Sequence, residues 1–225
     1  MGIALKRVGS GVGIGGNKRM ETVLPKRLTQ AERREEAISR MIEATIQLIA
    51  ENGYHGFSLA DVGAAAGYSR GLPTHYFGRK EDLLGIVARS ITDGFRWAQE
   101  RPSQQERGLP RIAAVIRNYG HGTRTVHSFV LGILIAEATI HPVLRQTIAD
   151  LNARALADIR HELEIGVKIG NIRPDLEIES QAKALFCFMR GLVAFAASDP
   201  DFDAPLVAET FVTTLTRGIG MANTA

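Results

Sequence analysis

The chain has 225 residues, of which 45% are hydrophobic and 23% charged, and its formal net charge is +3. That length can bury a substantial core, and the composition is ordinary for a soluble globular protein. So small a net charge excludes a polycation that holds nucleic acid by bulk charge alone, so where the charge sits matters more than its sum. Eight prolines and only 6% aromatic residues favour helices over a sandwich or barrel. The single cysteine, Cys187, excludes an intrachain disulfide and fits a reducing, cytoplasmic setting. Its surroundings, "ALFCFMRG", predict a buried structural thiol. No secretory leader is recognisable. The most apolar run, Phe129 to Ile140, carries Glu137 and is too short to cross a bilayer, so no membrane partner is expected.

Residues 1–30 have little apolar periodicity, many glycines and the basic pairs Lys6-Arg7, Lys18-Arg19 and Lys26-Arg27. Such a stretch cannot bury enough surface to offset chain entropy, so it reads as a disordered basic arm. With Arg33 and Arg34 it either adds attraction for a phosphate backbone or is a solvated tail. Its "GVGIGG" (Gly11 to Gly16) has dinucleotide-loop spacing but neither the preceding strand nor the following helix that the loop requires. The dinucleotide reading fails on that ground, and "GVGIGGNK" fails the phosphate-loop spacing as well. Order is expected soon after Met20, and purine-rich codons for Gly15-Gly16 would suit a ribosome-binding sequence just ahead of a native start there.

From Ala31 to Asn52, Ile38, Met41, Ile42, Thr45, Ile46 and Ile49 recur at the spacing of one helical face. Asn52-Gly53 is a helix stop. In "FSLADVGAAAGYS", Ser58 and Asp61 resemble a capping box, and Leu59, Val62 and Ala66 form an apolar face two turns long. Gly67 can adopt the left-handed conformation that ends a helix, and Ser69 can cap the next one. This is the outline of a helix-turn-helix. A fourth helix starts near Lys80 with Leu83, Leu84, Val87, Ile91 and Phe95 as its buried stripe. Further helices are expected over Pro110–Gly120, Thr123–Ile140, Pro142–Gly170, Glu177–Ala197 and Ala204–Gly220, with Asp203 as a cap and turns at Arg173-Pro174-Asp175 and Asp199-Pro200. The fold class is all-α: an N-terminal three-helix helix-turn-helix domain (31–79) and a C-terminal helical ligand-binding and dimerisation domain (80–225).

A DNA reader needs a short helix whose start reaches base edges in the major groove, while its flanks hold phosphates. Residues Ser69 to Tyr76 fit that need. Arg70 can reach guanine, His75 a base or the backbone, and Thr74 a phosphate or a thymine methyl. Tyr76 and Lys80 suit phosphate oxygens, and Gly71 removes bulk where the backbone must approach the groove. The DNA-facing set is Ser58, Ser69, Arg70, Gly71, Leu72, Thr74, His75, Tyr76 and Lys80. Pro73 forfeits a hydrogen bond if Ser69 is the cap but is well placed if the helix starts at Leu72 or Pro73.

"GYHGFSLADVGAAAGYSRGLPTHYFGRKEDLL" resembles the DNA-binding domain of the TetR family of bacterial transcriptional regulators, over about Arg34 to Ile91. Gly67, Ser69, Gly71, Phe77, Lys80, Glu81 and Leu83 fall where that family's motif has them. The family usually carries an aliphatic residue and then a phosphate-gripping tyrosine where Pro73 and Thr74 stand here, a contact that Tyr76 can supply instead. "GNIRPDLEIE" (Gly170 to Glu179) is similar to a turn that precedes the family's last two helices. The resemblance implies a homodimer through those two helices, an effector pocket among the middle ones, and a double-stranded DNA operator as partner.

Candidates for that pocket come from Phe95, Trp97, Tyr119, His127, Phe129, His141, Phe186, Phe188 and Met189, with Phe95, Tyr119, Phe129, His141 and Phe188 foremost. Each such residue equally suits core or dimer interface. Few aromatics point to a small or aliphatic effector, and His141-Pro142 marks a helix break. Catalysis has little support: "HELEI" at His161 holds Ile165 where a zinc-protease helix needs its second histidine, and no serine sits in a nucleophile elbow. Six scattered histidines show no metal spacing, and no cofactor is expected. Two functions remain: a dimeric repressor released from its operator by a small molecule, or a helical ligand-binding or protein-interaction dimer that kept the fold without binding DNA.

Overall fold

The computed structural model describes residues 29–100 and 106–221, with the side chains of 95–100 excepted. The basic arm up to residue 28, including the Met20 question, therefore lies outside the described residues, as do the side chains of Phe95 and Trp97. The described residues form α1 (Gln30–Asn52), α2 (Leu59–Ala65), α3 (Leu72–Phe77), α4 (Lys80–Glu100), α5 (Leu109–Gly122), α6 (Val126–Glu137), α7 (Pro142–Lys168), α8 (Ile178–Ser198) and α9 (Ala204–Ile219). A single antiparallel bridge, Ile172 to Gly220, is the one β feature among them.

Local chemistry accounts for most boundaries. Thr29 opens α1 with a reciprocal capping box to Glu32, and Gly53 closes it at φ 68°. Asp203 caps α9 through the Leu206 N–H, as its position suggested. The helix expected from Thr123 begins instead at Val126, because Thr125 caps it through the Ser128 N–H at 3.1 Å. The Thr123 and Ser128 hydroxyls donate to the carbonyls of Gly120 and Gly122 and turn the chain out of α5. At the other end α6 stops at Glu137, and Arg145 donates to the Ala138 and Thr139 carbonyls, which pins the α6–α7 turn.

Two buried cores form. The first joins α1, α2, α3 and α4 with α6 and the start of α7, through residues such as Met41, Val62, Leu83, Leu134 and Leu144. The second gathers α5, the end of α7, α8 and α9 around Ile116, Leu163, Leu185 and Val212. Buried contact thus runs continuously across residue 79, from the three-helix unit into the body. At 27 residues, or about 40 Å, α7 is the spine shared by both cores.

Cys187 is exposed, contrary to the expectation of a buried thiol. Helix α8 turns Leu185, Met189 and Leu192 into the core, and Cys187 lies two residues from the first two of these, on the opposite side at 100° per residue. Its apolar neighbours signalled a helix with two apolar faces, and only one of them is covered within the chain.

Candidate DNA-reading surface and cavity

The candidate DNA-facing surface starts at α2. The Ser58 hydroxyl and backbone N–H donate to Asp61 Oδ2 at 2.6 and 2.9 Å, and the Ser58 hydroxyl in turn accepts from the Asp61 N–H. Those bonds, hydroxyl first, hold the Asp61 carboxyl below its ordinary range. After Ala65 the chain reverses through Gly67 at φ 78°, and the Tyr68 N–H returns to the Gly63 carbonyl at 2.8 Å. Gly63 lets the turn close: a Cβ there would sit 2.5 Å from the Ser69 carbonyl and 3.1 Å from Pro73 Cδ.

Pro73 is the second residue of α3, after Gly71 as its cap. Its missing N–H costs the helix nothing at that position, and its buried ring packs towards Gly63. Ser69 does not cap the helix through its side chain; its carbonyl accepts the Leu72 N–H. Gly71 takes the cap position instead, two residues after Ser69.

Ser69, Arg70, Gly71, Thr74 and His75 are exposed together at the turn and on α3. Leu72 and Tyr76 are half-buried against the first core, with the Arg34 guanidinium 5.6 Å above the Tyr76 ring. Arg34 thus arrives from α1 beside α3, a placement not assigned to it from the sequence. Arg70 makes an exposed, solvent-screened pair with Asp61 at 3.3 Å. A Cβ on Gly71 would meet nothing within 4 Å, so the chain's own packing does not require glycine there.

Lys80 departs from its expected role. Its Nζ donates to the carbonyls of Tyr54 and Phe57, each at 2.6 Å, and lies 3.9 Å above the Phe57 ring. Burial lowers its pKa. The ammonium therefore ties the α1–α2 loop to the start of α4 and is committed inward. A lysine at a helix start, between Arg79 and Glu81, gave no sign of those loop carbonyls, which lie 23 and 26 residues earlier in the chain.

A cavity of about 310 Å³ opens between α4, α5, α7 and α8. Ile112, Val115, Ile116, Leu151, Ile159, Leu185, Phe186 and Met189 make its apolar wall. Arg107, Arg111, Arg154, Asp93, Asp158, His161 and Glu162 supply polar groups. Glu162 anchors this polar side: it pairs with Arg107 at 2.8 Å and Arg111 at 3.4 Å, and its carboxylate accepts the Gly108 N–H. Arg190 stacks 4.8 Å from the Phe186 ring and donates to Asn152; burial lowers its pKa.

Of the foremost pocket candidates, Tyr119 lines this cavity. Phe129 is 41% exposed on α6, His141 stacks on Tyr54 at 4.7 Å, and Phe188 stacks on Phe211 at 3.6 Å. The broader group fared differently, since Phe186 and Met189 do line the wall. Aromatic character marks a residue for burial, but the partner it meets depends on helices distant in sequence.

A capped, glycine-turned pair of short helices with a polar, outward second helix, set on a helical body, has the arrangement of a helix-turn-helix. The sequence profile described as "Bacterial regulatory proteins, tetR family" matches residues 41–86. The HTH-type transcriptional regulator CymR of Pseudomonas putida is 41% identical over 83 residues, which span 37% of this chain and 37% of that relative. The fatty acid metabolism regulator protein of Bacillus subtilis is 22% identical over 80% of this chain and 94% of its own. A crystal structure of the regulator FadR from Bacillus subtilis in complex with stearoyl-CoA superposes with a TM-score of 0.70 at 22% identity, over 80% of this chain and 98% of that one. The resemblance to the tetR family model is thus confined to residues 41–86, and the chain spans little more than a third of the length of the CymR relative. No helix among the described residues is long and apolar enough to cross a membrane.

Proposed function

We propose that the chain is a cytoplasmic, dimeric repressor that leaves its operator when a small molecule enters the cavity. The observation that carries this reading is the exposed group Ser69, Arg70, Gly71, Thr74 and His75, where Gly71 is open and the fold does not need it to be small. Thr74 and His75 read or position the major groove, Arg70 exchanges Asp61 for a guanine, and Tyr76 with Arg34 holds the phosphates. Ser58 and Lys80 serve this surface by holding it in shape.

Dimerisation uses the uncovered faces of α8 and α9. Leu206 is 62% exposed and Phe195 61%, with the stacked Phe188–Phe211 pair and Cys187 in the same two helices. Helix α4 supplies the link to the effector. Its first residue hooks the α1–α2 loop, and Thr92 and Asp93 border the cavity, about 18 Å along the same rod. Half-sites read by such dimers lie about 34–36 Å apart or at multiples of that, so a small shift of α4 is enough to lose one of them.

The cavity suits a compact molecule with an apolar body and a polar or charged head, at the lower end of ligand-pocket volumes. The stearoyl-CoA in the Bacillus structure supports an apolar-tailed effector class. Gel shift with DNA upstream of the chain's own coding region tests the reading. Salt-sensitive binding to that fragment, and not to scrambled DNA, is the expected result. Substituting Ile159→Trp should fill the cavity, leave operator binding intact and abolish release by the effector. Absence of binding to any fragment would favour the alternative of a helical interaction module.

A further inference from the structure

One group of side chains belongs to neither the DNA-facing surface nor the cavity. Tyr54 and His55 lie in the loop between α1 and α2, Glu137 ends α6, and His141 precedes α7. Glu137 Oε2 lies 3.5 Å from His141 Nε2 and 3.9 Å from His55 Nε2, and one ligand atom from each of the three falls within 4.8 Å of the others. Glu137 Oε2, His141 Nε2 and the Tyr54 hydroxyl are all buried with no hydrogen-bond partner, and Tyr54 as a residue is only 5% exposed. Buried polar atoms in native proteins are nearly always paired, so three at one spot call for a further group that binds between them.

We propose that His55, Glu137 and His141 form a site for a divalent transition cation of the zinc type, which clamps the α1–α2 loop to the α6–α7 turn. Two imidazole nitrogens and one carboxylate oxygen are the donor set that zinc-like ions select, whereas magnesium and calcium favour all-oxygen sites. With metal–ligand bonds of about 2.0–2.1 Å, a tetrahedral site separates its ligand atoms by about 3.3 Å. The 3.5 and 3.9 Å separations need to contract by about 0.2 and 0.6 Å, and the widest of the three, within 4.8 Å, by up to about 1.5 Å. His55 is exposed and free to make that adjustment.

The other two ligands are held in place. Arg145 pins the α6–α7 turn through two carbonyls, and His141 keeps one helical turn of register because its N–H donates to the Glu137 carbonyl. On the opposite side, Lys80 fixes the loop by the Tyr54 and Phe57 carbonyls. The Tyr54 ring stacks on His141, which suits its hydroxyl to a hydrogen bond with a water on the fourth position. The ligands come from a loop of the three-helix unit and from a turn of the body. A bound cation would therefore stiffen the joint between them, an input separate from the cavity. The site itself does not depend on the repressor reading.

Calorimetric titration of the chelator-treated full chain with ZnCl2 tests this directly. One Zn2+ per chain is expected, no comparable binding of MgCl2, and visible bands of tetrahedral Co2+ when CoCl2 is used instead. Loss of even a group that supports a metal ligand costs 10–100-fold in affinity, so His55→Ala and Glu137→Gln should each weaken Zn2+ binding by about tenfold or more. His55 is exposed and Glu137→Gln is nearly isosteric, so both variants should fold; His121→Ala, on α5, should bind as the parent does. Unchanged affinity in both ligand variants, or binding lost in Cys187→Ser, would overturn the proposal. So would no Zn2+ binding at all.

Discussion

The three-helix unit closes on itself within a few residues, whereas the body that holds the cavity is tied by pairs far apart in the chain. In the first, Ser58 meets Asp61, Tyr68 returns to Gly63 and Leu72 to Ser69. In the second, Arg117 binds Glu209, the Leu109 N–H donates to Asn171, and Arg124 reaches the carbonyls of Pro200 and Phe202. A unit made of local bonds can turn a whole polar face outward, because its shape does not depend on what covers that face. A body made of distant pairs leaves space where long helices diverge, and there a cavity forms. Helix α4 takes part in both arrangements, which is why it can carry a change from one to the other.

Several substitutions break or sharpen this contrast. Gly63→Ala should do the most damage, because its Cβ would meet a backbone carbonyl at 2.5 Å; overpacking of that kind costs about 1–3 kcal/mol and should separate α2 from α3. The matched change Gly71→Ala should leave the melting curve within about 0.5 kcal/mol of the parent and still lower operator affinity. A Gly71→Ala protein that bound its operator normally would remove glycine from the reading surface.

Next comes Lys80→Met, which keeps most of the packing and strips two carbonyls of their donor. Unsatisfied buried acceptors cost about 1–3 kcal/mol, so chemical denaturation should register the loss. Operator binding should fall only as far as the destabilised loop allows. A variant as stable as the parent but weak on every DNA sequence would return Lys80 to the phosphates.

Arg70→Ala should relax specificity at one base of each half-site, with a discrimination loss of about 1–3 kcal/mol if the arginine pairs with guanine. Binding to a panel of single-base operator variants reads this out, and an equal loss on specific and scrambled DNA would refute it. The smallest effect concerns acid. The pKa of Asp61 is held below its ordinary 3.8 by the Ser58 hydroxyl and then the Ser58 backbone. That of Glu32 is held below 4.5 by the Thr29 backbone and then its hydroxyl. A carboxyl whose folded pKa is depressed stabilises above its ordinary value and loses that contribution as pH falls through the depressed one. Both caps should therefore weaken only below about pH 4.5, and Asp61→Asn should flatten the acid limb of the melting profile slightly.

Much of this was legible in the residues. The helix spans from Pro110 onward came out within a few positions, because caps such as Asp203 and stops such as Gly53 act over one turn. The helix-turn-helix was readable for the same reason, and Gly67 took the left-handed conformation it was assigned. Lys80 was misread because its partners belong to another segment. Phe129, His141 and Phe188 lie away from the cavity, because apolar character and periodicity do not say which neighbour, if any, covers a residue. The pair Glu137 and His141, four residues apart on one helical turn, was the only sequence trace of the histidine–carboxylate cluster. His55, 82 positions before Glu137, left none.

The amino-acid order alone placed most helix ends to within a few residues and showed how the two short helices turn about Gly67. Those outcomes rest on hydrogen bonds and steric limits between residues a few positions apart. Only the tertiary structure decided which apolar face of α8 is covered, where Lys80 spends its charge, what lines the cavity, and that three ligands meet between loop and turn. These depend on the relative placement of whole helices, which is set by the summed packing of residues scattered along the chain and is encoded at no single position.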